Sequence, residues 1–178
     1  LERNEFLVYY QPLVDLNSGK ILALEALIRW NHPQVGMISP GLFIPIAEKN
    51  GLISPIGKWV LYTALKQLRE WRDSGHDELR VSVNLSSRQL QEDTLFDEVM
   101  TVIDETNTVP DWLELEITES SIMHDVDASI AVMQRFRDAG FHLSIDDFGS
   151  GYSSLNYVKK FPVDLIKIDR TFVRDLEQ

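Results

Sequence analysis

The hydrophobic pattern of this chain switches repeatedly between a period of two residues and a period of about 3.6 residues. The first is typical of a strand with one buried face, and the second of an amphipathic helix. Six strands are predicted, over Phe6–Leu16, Ile21–Trp30, Arg80–Ser86, Trp112–Glu119, Phe141–Phe148 and Val163–Phe172. Helical stretches are predicted over Gly41–Asn50, Ser54–Ser74, Gln89–Asn107 and Asp125–Ala139, with a short turn around Ser153–Lys160. Strands that alternate with helices in this way indicate an α/β fold.

The order of these segments also predicts how the strands pair. The first two are separated only by the polar break Asn17–Lys20, which is typical of an antiparallel hairpin. From the second strand onward each strand is followed by a helix, so the remaining pairs should be parallel. The 178 residues contain no repeat, linker or low-complexity tract, and we expect a single domain over residues 1–178.

Polar residues occupy one face of each predicted strand. In Arg80–Ser86, for example, Ser82 and Asn84 alternate with Val81 and Val83. If the apolar faces pack against helices, the polar faces of a closed barrel converge. The polar residues near the carboxyl ends of the strands, where barrel active sites lie, are Glu25, Asn84, Glu116, Asp146 and Lys167.

Such a group of carboxylates needs a counter-charge. Two carboxylates about 4 Å apart repel each other by about 4 kcal/mol at the effective dielectric of a protein, and Lys167 alone cannot neutralise three of them. Carboxylates with one amide form the oxygen-rich set that Mg²⁺ or Mn²⁺ prefers. A bend over Phe148–Gly151 would bring Asp147 to the same place and allow a two-metal site.

Each of these residues also has a simpler interpretation when it is taken alone. Glu25 has the features of a solvated charge at a strand end, and Asn84 those of a turn or cap residue. The pair Asp146 and Asp147 has the features of a cap for the following helix. The shared phase and shared strand end of all five residues favour the site over these separate interpretations.

Composition excludes several classes of function. With 17 Lys and Arg against 28 Asp and Glu, the net charge is −11, so we expect no DNA or RNA polymer as a partner. No cysteine is present, which excludes a thiolate zinc site and a cysteine nucleophile and favours an intracellular protein. Apolar runs such as Leu42–Ala47 are far shorter than the ~20 residues of a membrane span.

Six sequence blocks and one short motif resemble those of a known family. Glu25-Ala26-Leu27, within Glu25–Trp30, matches the namesake motif of the EAL domains, which are bacterial cyclic di-GMP phosphodiesterases. The other blocks follow in the family's order and are Tyr9–Pro12, Phe43–Glu48, Asn84–Ser86, Glu116–Ser120, Asp146–Leu155 and Ile166–Asp169. The resemblance implies a modified TIM barrel whose first strand is antiparallel to the rest. It also implies hydrolysis of one phosphodiester of cyclic di-GMP, which gives linear pGpG.

The resemblance also implies roles for individual residues, with Mg²⁺ or Mn²⁺ as the cofactor. One metal would be bound by Glu25, Asn84, Glu116 and Asp146, and a second by Asp146 and Asp147. The implied catalytic set is Lys167, which would hydrogen-bond the attacking water, together with Glu25, Asp146 and Asp147. Arg29 would contact a substrate phosphate, and Glu119 would anchor the loop after Asp147. Further substrate contacts are implied for Gln11, Leu27, Pro45 and Glu48.

The chain departs from the family pattern in two places. Ser150 stands where relatives usually carry threonine, which keeps the hydroxyl. Family members also continue past the Lys167 strand into two further strands, which bear a glutamate and a glutamine. The expected barrel is therefore incomplete, with about six of eight strands. We expect the 178 residues alone to be inactive or weak.

The alternative function is a module that binds cyclic di-GMP as a sensor without turnover. As for partners, the resemblance implies a homodimer through the loop and helix after Asp147. It also implies fusion to a sensor or diguanylate cyclase domain outside this chain. The location it implies is the cytoplasm, either free or as the cytoplasmic part of a membrane-tethered protein.

Overall fold

The computed structural model describes residues 1, 3–149 and 159–174. The strands of this part are β1 (Phe6–Val14), β2 (Ile21–His32), β3 (Gly36–Ile38), β4 (Arg80–Leu85), β5 (Leu113–Thr118), β6 (His142–Phe148) and β7 (Leu165–Ile168). Its helices are α1 (Pro40–Lys49), α2 (Ile53–Asp73), α3 (Ser87–Leu90), α4 (Leu95–Glu105), α5 (Glu119–His124), α6 (Val126–Asp138) and α7 (Thr171–Arg174), with a 3-10 turn over Pro110–Trp112.

The described strands form one sheet in the order β1-β2-β4-β5-β6-β7, and β3 pairs with the end of β2. The first two strands are antiparallel, with Gln11 opposite Glu25. The pairs β2-β4, β4-β5, β5-β6 and β6-β7 are all parallel. Parallel strands joined through helices form the wall of a β/α barrel. The predicted α/β class and the antiparallel first strand are confirmed.

The hydrophobic core lies between the apolar face of the sheet and the helices. Its fully buried side chains include Leu65 and Leu68 of α2 and Leu115 of β5. Phe136 of α6 is also fully buried, and its ring centroid lies 5.3 Å from that of Phe141. The apolar residues of each strand thus point away from the polar face, as the alternation predicts.

The helix predicted over Gln89–Asn107 is instead two helices, α3 and α4. Ser86 caps the start of α3 directly after β4. Its hydroxyl accepts a hydrogen bond from the backbone N–H of Gln89, and the Gln89 side chain accepts one from the backbone N–H of Ser86. The chain leaves helical geometry after Leu90 and becomes helical again at Leu95. A polar turn between two apolar stripes therefore interrupts what reads in the sequence as one helical stretch.

The last predicted strand, Val163–Phe172, is also shorter than expected. Only Leu165–Ile168 is extended, because Asp169 accepts hydrogen bonds from the backbone N–H and the hydroxyl of Thr171 and begins α7. The sequence pattern did not predict β3 or α5. The short turn around Ser153–Lys160 lies largely outside the described residues.

Removal of the Phe136 ring should test the position of the core. We expect Phe136→Ala to lower the free energy of unfolding by about 3–5 kcal/mol, because it leaves a cavity among fully buried side chains. Leu16 is 97% exposed, so Leu16→Ala should leave the free energy unchanged. Urea unfolding followed by circular dichroism measures both, and equal effects of the two substitutions would contradict this packing.

Candidate active site

Five neighbouring strands each place one of the predicted polar residues at the carboxyl end of the sheet. These residues are Glu25 on β2, Asn84 on β4, Glu116 on β5, Asp146 on β6 and Lys167 on β7. The amide nitrogen of Asn84 donates to Glu25 Oε1 at 3.0 Å. The Lys167 ammonium lies 3.6 Å from Glu25 Oε2 and donates to Glu116 Oε1. The structure thus brings four of the five into direct contact.

Burial controls the charge of Glu116. Its side chain is fully buried, and this burial raises its pKa to about 7 despite the attraction of Lys167. Burial lowers the pKa of Lys167, but Glu116, Glu25 and Asp146 outweigh that effect, so its pKa is raised. The ammonium therefore stays charged at neutral pH, at the centre of a set of carboxylates that includes Asp146.

One buried oxygen of this set, Glu116 Oε2, accepts no hydrogen bond from the residues that the structure describes. A buried carboxylate oxygen without such a bond is costly in the protein interior. Carboxylates and an amide are hard oxygen donors of the kind that bind Mg²⁺ or Mn²⁺. Glu25, Asn84 and Glu116 therefore fit a divalent cation. Within residues 1, 3–149 and 159–174, no three acidic, histidine or cysteine side chains are already spaced as a complete metal-binding set.

An irregularity in β6 changes the direction of the two adjacent aspartates. The pairing with β7 passes from Ile145↔Ile166 to Phe148↔Ile168, so β6 contains one extra residue between the two pairs. Asp147 takes a left-handed backbone conformation there, with φ of 52°. A bulge of this kind re-aims side chains that would alternate on a regular strand. Asp147 lies close enough to Asp146 and Asp169 for both charges to help raise its pKa, after the effect of burial.

Glu119 holds the chain directly after these aspartates. It is almost fully buried at the start of α5, and its Oε2 accepts a hydrogen bond from the backbone N–H of Gly149 at 2.6 Å. The loop from Ser150 onward lies outside the described residues, so the anchoring role of Glu119 stays a prediction. The ring of Phe172 packs closely against Gly149. A Cβ atom added to Gly149 would lie 2.5 Å from this ring.

A pocket of about 420 Å³ shares Asn84 with this group, although Glu25, Glu116, Asp146 and Lys167 do not line it. Four predicted site residues line it, namely Leu27, Arg29, Glu48 and Asn84. Apolar side chains of β2, α1 and α2 and hydroxyls that follow β4 and β5 form much of the rest of its wall. This combination of apolar wall and few polar groups is typical of small-molecule sites, which have volumes of about 300–1,000 Å³.

The remaining predicted substrate contacts lie at different distances from this pocket. Gln11 is exposed on β1 and stands directly opposite Glu25, so the two side chains share one face of the sheet. Pro45 is exposed on α1 and is not part of the pocket wall. A substrate contact remains a prediction for both residues.

Two features of the site were not predicted. Tyr9 is half exposed, and the Arg29 guanidinium lies over its ring at 5.5 Å from the centroid. The alternation of β1 puts Tyr9 in phase with Gln11, and this phase is the signal that could have found it. The second feature is a chain of hydroxyls, in which Ser121 contacts Ser87 at 2.7 Å and Thr118 at 2.6 Å. No single-strand pattern reveals it, because it joins α3 to α5.

The match to known proteins decides the family. A family model described as the EAL domain matches residues 1–178. The chain belongs to the EAL domain family. It is 46% identical over 99% of its length to the bifunctional diguanylate cyclase/cyclic di-GMP phosphodiesterase MucR of Pseudomonas aeruginosa, of which it covers 26%. It is also 41% identical over its full length to the cyclic di-GMP phosphodiesterase PdeR of Escherichia coli, of which it covers 27%. The chain thus spans about a quarter of these relatives.

Solved EAL domains have the same fold. The PaMucR phosphodiesterase in complex with c-di-GMP matches 99% of this chain with a TM-score of 0.95 and 45% identity, over 72% of the solved chain. The fold is therefore that of the EAL domains, which is TIM-barrel-like. Phosphodiesterases of this family depend on metal ions in general. None of the helices in the described part of this EAL domain is long and apolar enough to cross a membrane.

The raised pKa of Glu116 should make the stability of the metal-free EAL domain depend on pH. The folded value of about 7 lies above the usual 4.5, so the folded state favours the protonated carboxyl. The stabilisation from this group is complete below a pH of about 4.5 and is lost as the pH rises through about 7. Glu116→Gln removes this ionisable group. The wild type should therefore lose stability relative to the variant as the pH rises from about 4.5 to about 7. Thermal unfolding with a chelator measures the difference, and a difference independent of pH would contradict the assignment.

The contact between Gly149 and Phe172 should be sensitive to a single methyl group. Gly149→Ala and Gly19→Ala both put a Cβ on left-handed backbone, with φ of 92° and 70°, but only the first meets another residue within 4 Å. We expect Gly149→Ala to lower the free energy of unfolding by about 1–3 kcal/mol more than Gly19→Ala. Phe172→Ala in the Gly149→Ala background should recover part of this loss. Equal losses for the two glycine variants would contradict the contact.

Proposed function

We propose that this EAL domain hydrolyses one phosphodiester of cyclic di-GMP to give linear pGpG, with Mg²⁺ or Mn²⁺ as cofactor. The observation that carries this proposal is the set Glu25, Asn84, Glu116 and Lys167, joined by direct contacts next to a pocket that Arg29 lines. The names of MucR and PdeR, which are cyclic di-GMP phosphodiesterases, support the same substrate. Residues 1–178 are proposed as part of one such domain, which two further strand-helix units would complete.

The metal ligands are proposed from the donor atoms available. Glu25, Asn84, Glu116 and Asp146 would hold one ion, and Asp146 with Asp147 a second. The unpartnered Glu116 Oε2 and the bulge that re-aims Asp147 support this arrangement. When bound, two divalent ions supply Lewis-acid polarisation of the phosphodiester and a more acidic water.

The residues around the metal ligands bind and orient the substrate. Arg29 carries a positive charge at the pocket wall, where it would bind a phosphate of the dinucleotide. Leu27 and Glu48 line the same wall and would contact the nucleoside part, with Gln11 and Pro45 further out. Lys167 stays protonated at neutral pH, so it would donate a hydrogen bond to the attacking water and hold it in line with the phosphorus.

The setting of the domain is also proposed from the family. Fusion to a sensor or diguanylate cyclase domain is supported by the bifunctional name of MucR. Because cyclic di-GMP is an intracellular signal, the cytoplasm is the proposed location. A homodimer through the loop and helix after Asp147 is proposed as well. Light scattering tests the dimer, which a clean monomer at micromolar concentration would exclude.

Product analysis tests the activity. With Mn²⁺ or Mg²⁺ present, the protein that carries this domain in full should convert cyclic di-GMP to pGpG, and a chelator should stop the reaction. Glu25→Gln should reduce turnover by at least about 100-fold, because it removes a proposed metal ligand. Glu78 is exposed and precedes the amino end of β4, whereas the site is at the carboxyl ends of the strands, so Glu78→Gln should leave turnover unchanged. Tight binding of cyclic di-GMP without any pGpG would instead support the sensor function.

A further inference from the structure

The ammonium of Lys167 joins strands that are not neighbours in the sheet. Lys167 belongs to β7, and it contacts Glu116 on β5 and Glu25 on β2. In the strand order, β6 separates β7 from β5, and β4 separates β5 from β2. The three side chains are 15%, 0% and 20% exposed, so these ion pairs form across the interior of the curved sheet. They are therefore shielded from solvent screening more than surface pairs are.

The carboxylate oxygens around Lys167 are almost all occupied. Asn84 donates a hydrogen bond to Glu25 Oε1. Lys167 forms an ion pair with Glu25 Oε2 and donates a hydrogen bond to Glu116 Oε1. Among the described residues, three of the four oxygens of the two glutamates contact Asn84 or Lys167, two through hydrogen bonds and Glu25 Oε2 through the ion pair, and Glu116 Oε2 has no hydrogen-bond partner. A divalent cation shared by both glutamates needs an oxygen from each. It also repels an ammonium held at the same oxygens, so the two cations compete for one position.

We infer that Lys167 is an exchangeable internal counter-ion, which holds Glu25 and Glu116 together in the metal-free protein and gives up these contacts when a divalent cation binds. This inference rests on the proposed function, because it takes the two glutamates as metal ligands. It adds an order of events to that function. The ammonium becomes free to donate to water only after the metal has taken its place, so the lysine is available for hydrolysis in the loaded site and occupied in the empty one.

A substitution that removes only the charge tests this competition without any substrate. Lys167→Met keeps most of the side-chain length, and the free Mn²⁺ signal in electron paramagnetic resonance measures metal binding. We expect the variant to bind Mn²⁺ at least about tenfold more tightly, which is within the usual range of coupling between two sites. We also expect its melting temperature in chelator to fall, because the two glutamates lose their counter-charge. Lys66 is exposed on α2, and Lys66→Met should change neither quantity.

A second measurement needs no variant and covers the case in which Lys167→Met does not fold. Lysine acylation followed by mass spectrometry compares the wild-type protein with and without Mg²⁺. Labelling of Lys167 should become faster with Mg²⁺, because the ammonium leaves two carboxylates that restrict its access. Lys66 serves as an internal control whose labelling rate stays constant.

Different outcomes overturn the inference and the proposed function. Unchanged or weaker Mn²⁺ binding by Lys167→Met overturns the inference, and so does a labelling rate of Lys167 that Mg²⁺ leaves unchanged. A lower melting temperature with unchanged affinity identifies a purely structural lysine and overturns it as well. The proposed function survives all of these results if Glu25→Gln abolishes Mn²⁺ binding and the protein makes pGpG. Failure of the wild type to bind Mn²⁺ at all overturns both.

Discussion

The burial of one carboxylate determines the organisation of this site. Glu116 lies in β5, one of the two central strands of the described wall, with no exposed surface, and it stays there because Lys167 offers an ammonium from two strands away. A buried charge without compensation would be excluded from the protein interior or would neutralise itself. The second oxygen of Glu116 accepts no hydrogen bond from any residue in the described part of the chain. The other polar residues at the carboxyl ends of the strands lie around Glu116 and Lys167.

The hairpin of β1 and β2 gives the site its asymmetry. A barrel built only from parallel strands would need a long crossover to bring another strand beside Glu25. Here a six-residue connection does so and sets Gln11 opposite Glu25 and Tyr9 opposite Leu27. The Arg29 guanidinium rests over Tyr9, so a residue of β1 helps to hold a positive charge at the pocket wall. Glu25, Leu27 and Arg29 are alternate residues of β2 and therefore share one face of the sheet.

Strand phase predicted much of the fold and the face on which the site lies. The alternation in Arg80–Leu85 and in Leu113–Thr118 fixes Asn84 and Glu116 on one side, because a strand leaves no other choice. It cannot predict that Lys167 reaches across to Glu25, since that distance depends on the curvature of the whole sheet. The bend near Asp147 was predicted in the glycines that follow, but it begins at Asp147 itself, because the register with β7 determines it. The division of Gln89–Asn107 depends on the Ser86 cap, which the helical period alone does not reveal.

The contacts that build the site join residues that are far apart along the chain. Asn84 and Glu25 are separated by 59 positions, and Lys167 and Glu116 by 51. Contacts of such long range form late in folding, because the chain between them must first be ordered. A chain that has folded only as far as β5 has Glu25 and Glu116 in place but lacks the lysine that compensates them. Compensation of these two carboxylates by a protein group is therefore a property of the finished wall, which exists only once β7 has joined the sheet.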